Sequence, residues 1–432
     1  MLISVLVLLG VFFLLIMMGV PIAISIGLAS VSTLMLSMSF DPAMTTMAQR
    51  LAGGLDSFTL LAIPFFVISG YLMGRGGIAK RLIEAAKALV GTLPGGLALV
   101  NTLSCMLFGS ISGSAVAATS AIGTFMIPTM EKEGYDKNFS TAVTVTGSIL
   151  GLLIPPSNVL IVYAVAAGSV SIAALFMAGY LPGLLAGLAL MIVAAGYAKK
   201  EGYPRSERIK MRDAAKKLLQ AGPSILMILI VVGGIIAGIF TATEASAIAV
   251  IYALVLSLIY KEIDTKDLPD ILLKSIETTA MVLLLIGVST GMAWVLAYEN
   301  IPQAISDGLL MISDNPIIIL LMINIVLLLV GAFLDITPAI LIFTPIFLPV
   351  VMELGMSPVH FGIMLVLNLS IGLCTPPVGS VLFVGCAVAG TTIQKLIKPL
   401  VMLYAALIVA LLLVTYVPFL SEGLPRAVGL IQ

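Results

Sequence analysis

The chain has 432 residues, 60% of them apolar and 10% charged, with a mean hydropathy of +1.21 and a formal net charge of +0. Such a composition excludes a soluble globular, disordered or disulfide-stapled protein and marks an integral membrane protein with many spans. Zero net charge implies no nucleic-acid partner, and three scattered cysteines with a single histidine leave no spacing for a transition-metal cluster.

A helix needs about 20 apolar residues to cross a bilayer. The first stretch, 2–18, has neither a basic leader nor a small-residue cleavage site, so it reads as a retained span. Spans follow at 20–38 and 58–74. The amphipathic "RGGIAKRLIEAAKALVG" (75–91) reads as an arm along the membrane interface. The next apolar stretch, 93–128, is interrupted by "GSISGSA" and is expected to be a hairpin that enters and leaves on one side. Spans at 139–167 and 171–197 complete the first half, domain 1–198. A linker, 199–223, carries eight basic residues up to Lys217 and suits anionic lipid headgroups.

The second half, 224–432, repeats the order. Spans at 224–240, 242–260 and 276–298 precede a second hairpin, 317–350, broken at "GAFLDITP". Spans at 360–388 and 397–418 close it. With both termini outside, every Lys and Arg except Arg50 and Arg426 falls on the cytoplasmic side. Counting either hairpin as a crossing would misplace several of them.

Shifting the chain by 221 residues superimposes landmarks: Pro155-Pro156 on Pro376-Pro377, Gly151 on Gly372, Pro128 on Pro349 and Gly70 on Gly291. Five crossings and one hairpin per half make the second half enter the membrane upside down, the pattern of an inverted-repeat carrier. The expected fold is therefore all-α and polytopic, with two re-entrant hairpins and two broken helices.

"LLIPPSN" (152–158) and "LCTPPVG" (373–379, shown from Leu373) fall inside spans. Paired prolines remove two backbone donors and stop a helix. Non-helical backbone survives at membrane depth only where it is buried in protein or lines a polar cavity. The carbonyls freed at Leu152 to Pro155 and Leu373 to Pro376 are hard oxygen donors for a small cation. Each hairpin tip is expected to face its matching break. One cation site would draw on Ser110, Ser112, Ser114, Gly151, Ile154 and Pro156. The other would use Gly331, Asp335, Thr337, Gly372, Thr375 and Pro377.

Each feature has a plainer reading. Gly- and Ser-rich stretches usually pack helices closely, and a lone proline usually kinks one. Recurrence of break and polar tip together in both halves favours the site. Asp335 is costly at the bilayer centre; its alternative role is a cap on the second hairpin helix. Glu244 reads as an interfacial or packing acid, and His360 as solvated or capping. Trp294 and the methionines carry no functional assignment.

The stretches "FGSISGSAVAATSAIG", "GLLIPPSN", "GIFTATEASA", "GAFLDITPAILIFTPIFLPV" and "GLCTPPVGSVLFV" together resemble the large membrane subunit of tripartite ATP-independent periplasmic (TRAP) transporters. The resemblance runs over about 58–420. It implies sodium-driven uptake of an organic acid across a bacterial inner membrane by an elevator motion. A periplasmic substrate-binding protein would deliver the solute, and a separate small four-span membrane subunit would pack on the scaffold. On this reading both cations are Na⁺, at least two move per cycle, and transport is electrogenic. Ser157, Asn158, Gly379 and Ser380 would face the solute, with no basic residue in the cavity. The hairpin "SAVAATSAIGTFMIP" leans toward sialic acid over a C4-dicarboxylate by likeness alone. The competing function is a stand-alone sodium–dicarboxylate carrier; an enzyme is disfavoured because Asp335 has no acidic partner at its depth. No G-x-x-x-x-G-K-[ST] stretch occurs, so no ATP-binding P-loop is expected.

Overall fold

The computed structural model describes residues 2–168, 170–204, 211–313 and 315–431, and every regular element among them is helical. The first half starts with α1 (Leu2–Met17), α2 (Ile22–Leu34) and α3 (Phe40–Leu55). A 3-10 turn, Phe58–Leu61, leads into α4 (Ala62–Arg75), followed by the arm α5 (Ile78–Val90). Helices α6 (Gly96–Ser112) and α7 (Ala115–Lys132) form the first hairpin. Next come α8 (Lys137–Ser148), α9 (Asn158–Ala167) and α10 (Ile172–Lys200).

The second half comprises α11 (Met211–Ile236), α12 (Ala242–Ile259), α13 (Leu268–Tyr298) and α14 (Ile301–Ile312). The second hairpin is α15 (Pro316–Gly331) and α16 (Ile336–Glu353). Then follow α17 (Pro358–Leu373), α18 (Ser380–Ala389), α19 (Ile393–Tyr416) and α20 (Phe419–Ala427). The interruptions between α8 and α9 and between α17 and α18 hold the two diprolines, where missing donors end the ladder.

Seven helices among the described residues are long and apolar enough to cross a bilayer. Their apolar windows are 39% to 56% buried, so the rest of each faces outward and suits lipid. By contrast, α6, α8 and α17 bury nearly every residue and form the centre. Around them α16 packs on α9 and α18 on α7, so each hairpin leans on the broken helix of the other half. A second group of helices pairs α4 with α12, α3 with α13, and the arm α5 with α11.

Buried asparagines fasten the central group. Asn101 Nδ2 donates to Thr144 Oγ1 at 2.7 Å, joining α6 to α8. Asn368 Nδ2 donates to Asn324 Oδ1 at 2.7 Å, and Asn324 Nδ2 to Thr415 Oγ1 at 3.1 Å, joining α17, α15 and α19. An unpaired amide there would cost about 1–3 kcal/mol, so the bonds select this packing.

Several expectations change. The span expected at 224–240 is α11, which starts thirteen residues earlier at Met211 and ends at Ile236. Residues 205–210 of the linker lie outside the described residues. Helices α3, α14 and α20 are additions. His360 is not solvated: it is 2% exposed, and its Nε2 lies 2.8 Å from the Val414 carbonyl oxygen. Glu244 is a helix cap. Its carboxylate accepts from Thr241 N at 2.8 Å, while Glu244 N donates to Thr241 Oγ1 at 3.3 Å, a reciprocal capping box.

Candidate functional site

Both hairpins turn at residues chosen by backbone geometry. Gly113 ends α6 at φ +64°, where a side chain would be strained, and Ser114 caps α7 by accepting from Ala117 N at 3.2 Å. In the second hairpin Asp335 caps α16, its Oδ1 accepting from Ile336 N at 3.0 Å. The capping alternative for Asp335 therefore holds, and it leaves the other carboxylate oxygen available.

Each tip meets the break of its own half. A Cβ on Gly109 would lie 2.9 Å from Gly151 Cα, and one on Gly331 would lie 3.1 Å from Gly372 Cα. The Asn158 amide covers Gly113 so closely that a Cβ there would sit 2.6 Å from Nδ2. In the second half the Val378 and Gly379 N–H groups both donate to the Ala332 carbonyl at 3.3 Å.

The two tips share one cavity of about 510 Å³. Ser112, Ser114 and Asn158 line it from the first half, Asp335 and Thr337 from the second. Leu152 and Leu373, just ahead of the two diprolines, also line it. The size suits a small organic ligand. Helices α4 and α13 form the opposite wall, with Gly70 so close to the tip that a Cβ would lie 2.7 Å from the Ser112 carbonyl oxygen.

The other expected site residues stand outside this lining. Ser110 donates to Leu107 O at 2.9 Å and Thr375 to Ile371 O at 2.8 Å, each turned back on its own helix. Ser157 donates to Leu152 O and accepts from Leu160 N at 3.4 Å. Gly151, Gly331 and Gly372 are contact points between backbones, not walls. Ile154 packs on α10, where a Cβ at Gly183 would meet its Cγ1 at 2.6 Å. Pro156, Pro377 and Gly379 shape the breaks, while Ser380 Oγ is buried without a hydrogen-bond partner among the described residues.

Two corrections concern electrostatics. Not all the carbonyls of the breaks are free: Leu152 O accepts from Ser157, and Cys374 O accepts from the Tyr404 hydroxyl. Nor is the cavity without a basic residue, because Arg75 lines its rim. Arg75 reaches from the end of α4 to Asp270 and, at 3.8 Å, Asp267. Lys274 shares Asp270 at 3.3 Å. One turn deeper, the Tyr71 hydroxyl and Thr278 Oγ1 are 3.0 Å apart. A basic residue ending a span was the signal in the sequence; which face it occupied depended on how α4 meets α13.

The chemistry is that of a polar chamber in an apolar body. It offers hydroxyls, an amide, one carboxylate and a guanidinium at the rim. Hydroxyls that donate to a helix carbonyl, as in Ser110 and Thr375, keep their lone pairs for a cation. The orphaned Ser380 Oγ has the same capacity. The donor set is all oxygen, which fits a hard monovalent or divalent cation and not a thiophilic metal.

Residues 9–420 match the model of the tripartite ATP-independent periplasmic transporter, DctM component. The chain belongs to this family. Among relatives of the permease, an uncharacterized protein of Salmonella typhimurium, YgiK, is 53% identical over 98% of this chain and 97% of its own length. The C4-dicarboxylate TRAP transporter large permease protein of Rhodobacter capsulatus is 38% identical over 99% of this chain and 100% of its own. The sialic acid TRAP transporter large permease protein of Vibrio cholerae is likewise 38% identical, over 94% and 95%. In fold, the permease is similar to the crystal structure of the Alcanivorax borkumensis YdaH transporter. The TM-score is 0.65 at 14% identity, covering 88% of this chain and 89% of that one. The permease is thus a multi-pass membrane transporter subunit of the TRAP type.

Proposed function

We propose that this permease carries out sodium-coupled uptake of an organic acid, of the C4-dicarboxylate or sialic acid type. The solute arrives on a periplasmic substrate-binding protein, and a small four-span membrane subunit packs against α1–α4 and α11–α13. The single observation that carries the reading is the shared cavity, in which Ser112 and Ser114 of one hairpin tip meet Asp335 and Thr337 of the other. A carboxylated solute and its counter-cations need such a mixed set: oxygens for Na⁺, hydroxyls and amides for the acid.

On this reading residues 1–198 and 224–432 are inverted halves in a bacterial inner membrane, joined by a cytoplasmic linker at 199–223, with both termini periplasmic. The central group of helices moves as one body against the paired group around α4 and α13. One Na⁺ binds near each tip, around Ser110, Ser112 and Gly151 in the first half and Asp335, Thr337 and Thr375 in the second. Each inward Na⁺ gains about 2.3 kcal/mol per 100 mV, so two ions with a monoanion leave one driving charge. A dianion needs a third. Identity to three relatives named for C4-dicarboxylates is 37% to 41% and to one named for sialic acid 38%, which does not choose between them.

The test is uptake into proteoliposomes holding the permease and its small subunit, with and without the binding protein and with Na⁺ replaced by K⁺. Uptake that needs both Na⁺ and the binding protein supports the proposal. Uptake without a binding protein selects the stand-alone carrier instead. Ser112→Ala and Thr375→Ala should each weaken Na⁺ affinity, and unchanged affinity in both removes them from the ion sites.

A further inference from the structure

Away from the transport cavity, a separate cavity of about 480 Å³ opens between the arm α5, the start of α11 and the end of α12. Lys80, Arg81 and Glu84 line it from the arm, Lys217 and Leu219 from α11, and Tyr260 and Glu262 from beyond α12. Its walls are held in place. Lys217 pairs with Glu84 at 2.5 Å, and Arg81 stacks 3.5 Å over the Tyr260 ring while reaching Glu262 at 3.8 Å. Arg81 also donates to the Gly77 carbonyl at 3.0 Å.

Pairing the charges leaves one over. The two carboxylates are matched by Lys217 and Arg81, and Lys80 has no ion-pair partner among the described residues. The surplus is therefore a single positive charge inside a cavity. Its apolar side runs on: Leu219 in the lining is 77% exposed, and Leu226 and Leu229, two and three turns along α11, are 49% and 64% exposed. An anionic head at Lys80 with hydrocarbon lying along Leu219, Leu226 and Leu229 fits both features. A free phosphate uses only the first.

We propose that this cavity binds one anionic phospholipid, with its phosphate at Lys80 and its acyl chains along α11. The bound lipid fills the gap between α5 and α11 and so stiffens the arm that leads into the first hairpin. A zwitterionic phosphatidylcholine head brings a second cation to a site with a positive surplus and binds less well.

The proposal is tested by native mass spectrometry of the full-length permease, exchanged into detergent with equal amounts of phosphatidylglycerol and phosphatidylcholine. Phosphatidylglycerol should remain bound preferentially. Lys80→Gln removes one lysine–phosphate attraction and should lower that occupancy about fivefold. The Glu84→Gln/Lys217→Gln pair removes a charge of each sign, leaves the surplus at one positive charge and should keep the preference for phosphatidylglycerol. Thermal unfolding of each variant is the folding check, and Lys137→Gln, outside the cavity, is the control. Equal retention of the two lipids, unchanged occupancy in Lys80→Gln, or displacement of the lipid by equimolar inorganic phosphate would overturn the proposal.

Discussion

Gly109 and Gly151 meet backbone to backbone, so closely that a Cβ on Gly151 would lie 2.4 Å from the Gly109 Cα. Gly331 and Gly372 repeat the contact in the second half, where a Cβ on Gly372 would lie 2.4 Å from the Gly331 carbonyl carbon. Neither neighbour is a flexible side-chain end, so the contact cannot yield without moving a hairpin.

Gly151→Ala and Gly372→Ala should therefore each destabilise the permease by about 1–3 kcal/mol, the usual penalty of overpacking. Gly196→Ala is the control, because nothing lies within 4 Å of a Cβ there. Thermal unfolding in detergent compares the three. Equal midpoints for Gly151→Ala and Gly196→Ala would show that the tip is not pinned at this contact.

Asp335→Asn separates charge from capping. Asparagine caps a helix about as well as aspartate and keeps an acceptor for the Ile336 N–H. Folding should be preserved while Na⁺ affinity falls by on the order of tenfold or more, because hydrogen bonds and ion contacts to a charged group are worth about 1.5–3 kcal/mol. Sodium titration of uptake reads this out. Full sodium affinity in Asp335→Asn would exclude the carboxylate from ion binding.

Asn324 and Asn368 should behave as a unit. Leucine at 368 strips Asn324 Oδ1 of its donor, and leucine at 324 leaves Asn368 Nδ2 only the backbone carbonyl of residue 324, each at a cost of about 1–3 kcal/mol. Leucine at both removes the two polar groups together, so the double variant should lose less than the sum, by about 0.5–3 kcal/mol. A double-mutant cycle on thermal unfolding measures the difference, and strict additivity would contradict a shared bond.

Thr241→Ala should cost about 1 kcal/mol by opening the capping box with Glu244. Because the box caps α12 away from the transport cavity, uptake at low temperature should stay near wild type. A loss of uptake with stability unchanged would assign this pair a role in transport instead of capping.

The helix breaks and the hairpin turns could be read from residue order alone, because paired prolines and clustered glycines act locally. Pro155-Pro156 and Pro376-Pro377 end their helices wherever they occur, and Gly113 takes a backbone angle that other residues avoid. What the sequence did not reveal depends on packing between distant segments. Helix α3 carries Asp41, Gln49 and Arg50, which break the long apolar run by which a span is recognised. His360 looked like a loop-edge residue, yet it is covered by α19 through Val414, 54 positions away. Arg75 joins the cavity only because α4 lies against α13. Hydroxyl orientation was equally out of reach: Ser110 and Thr375 stand beside the right breaks, but their protons point to their own helices.

The glycine contacts divide the permease into parts with different freedom to diverge. Side chains that line the chamber, such as Val116 and Thr337, border its open space and have room to change. The four pinning glycines have no such latitude. A lineage switching cargo would accordingly change the chamber lining and leave the glycine joints alone.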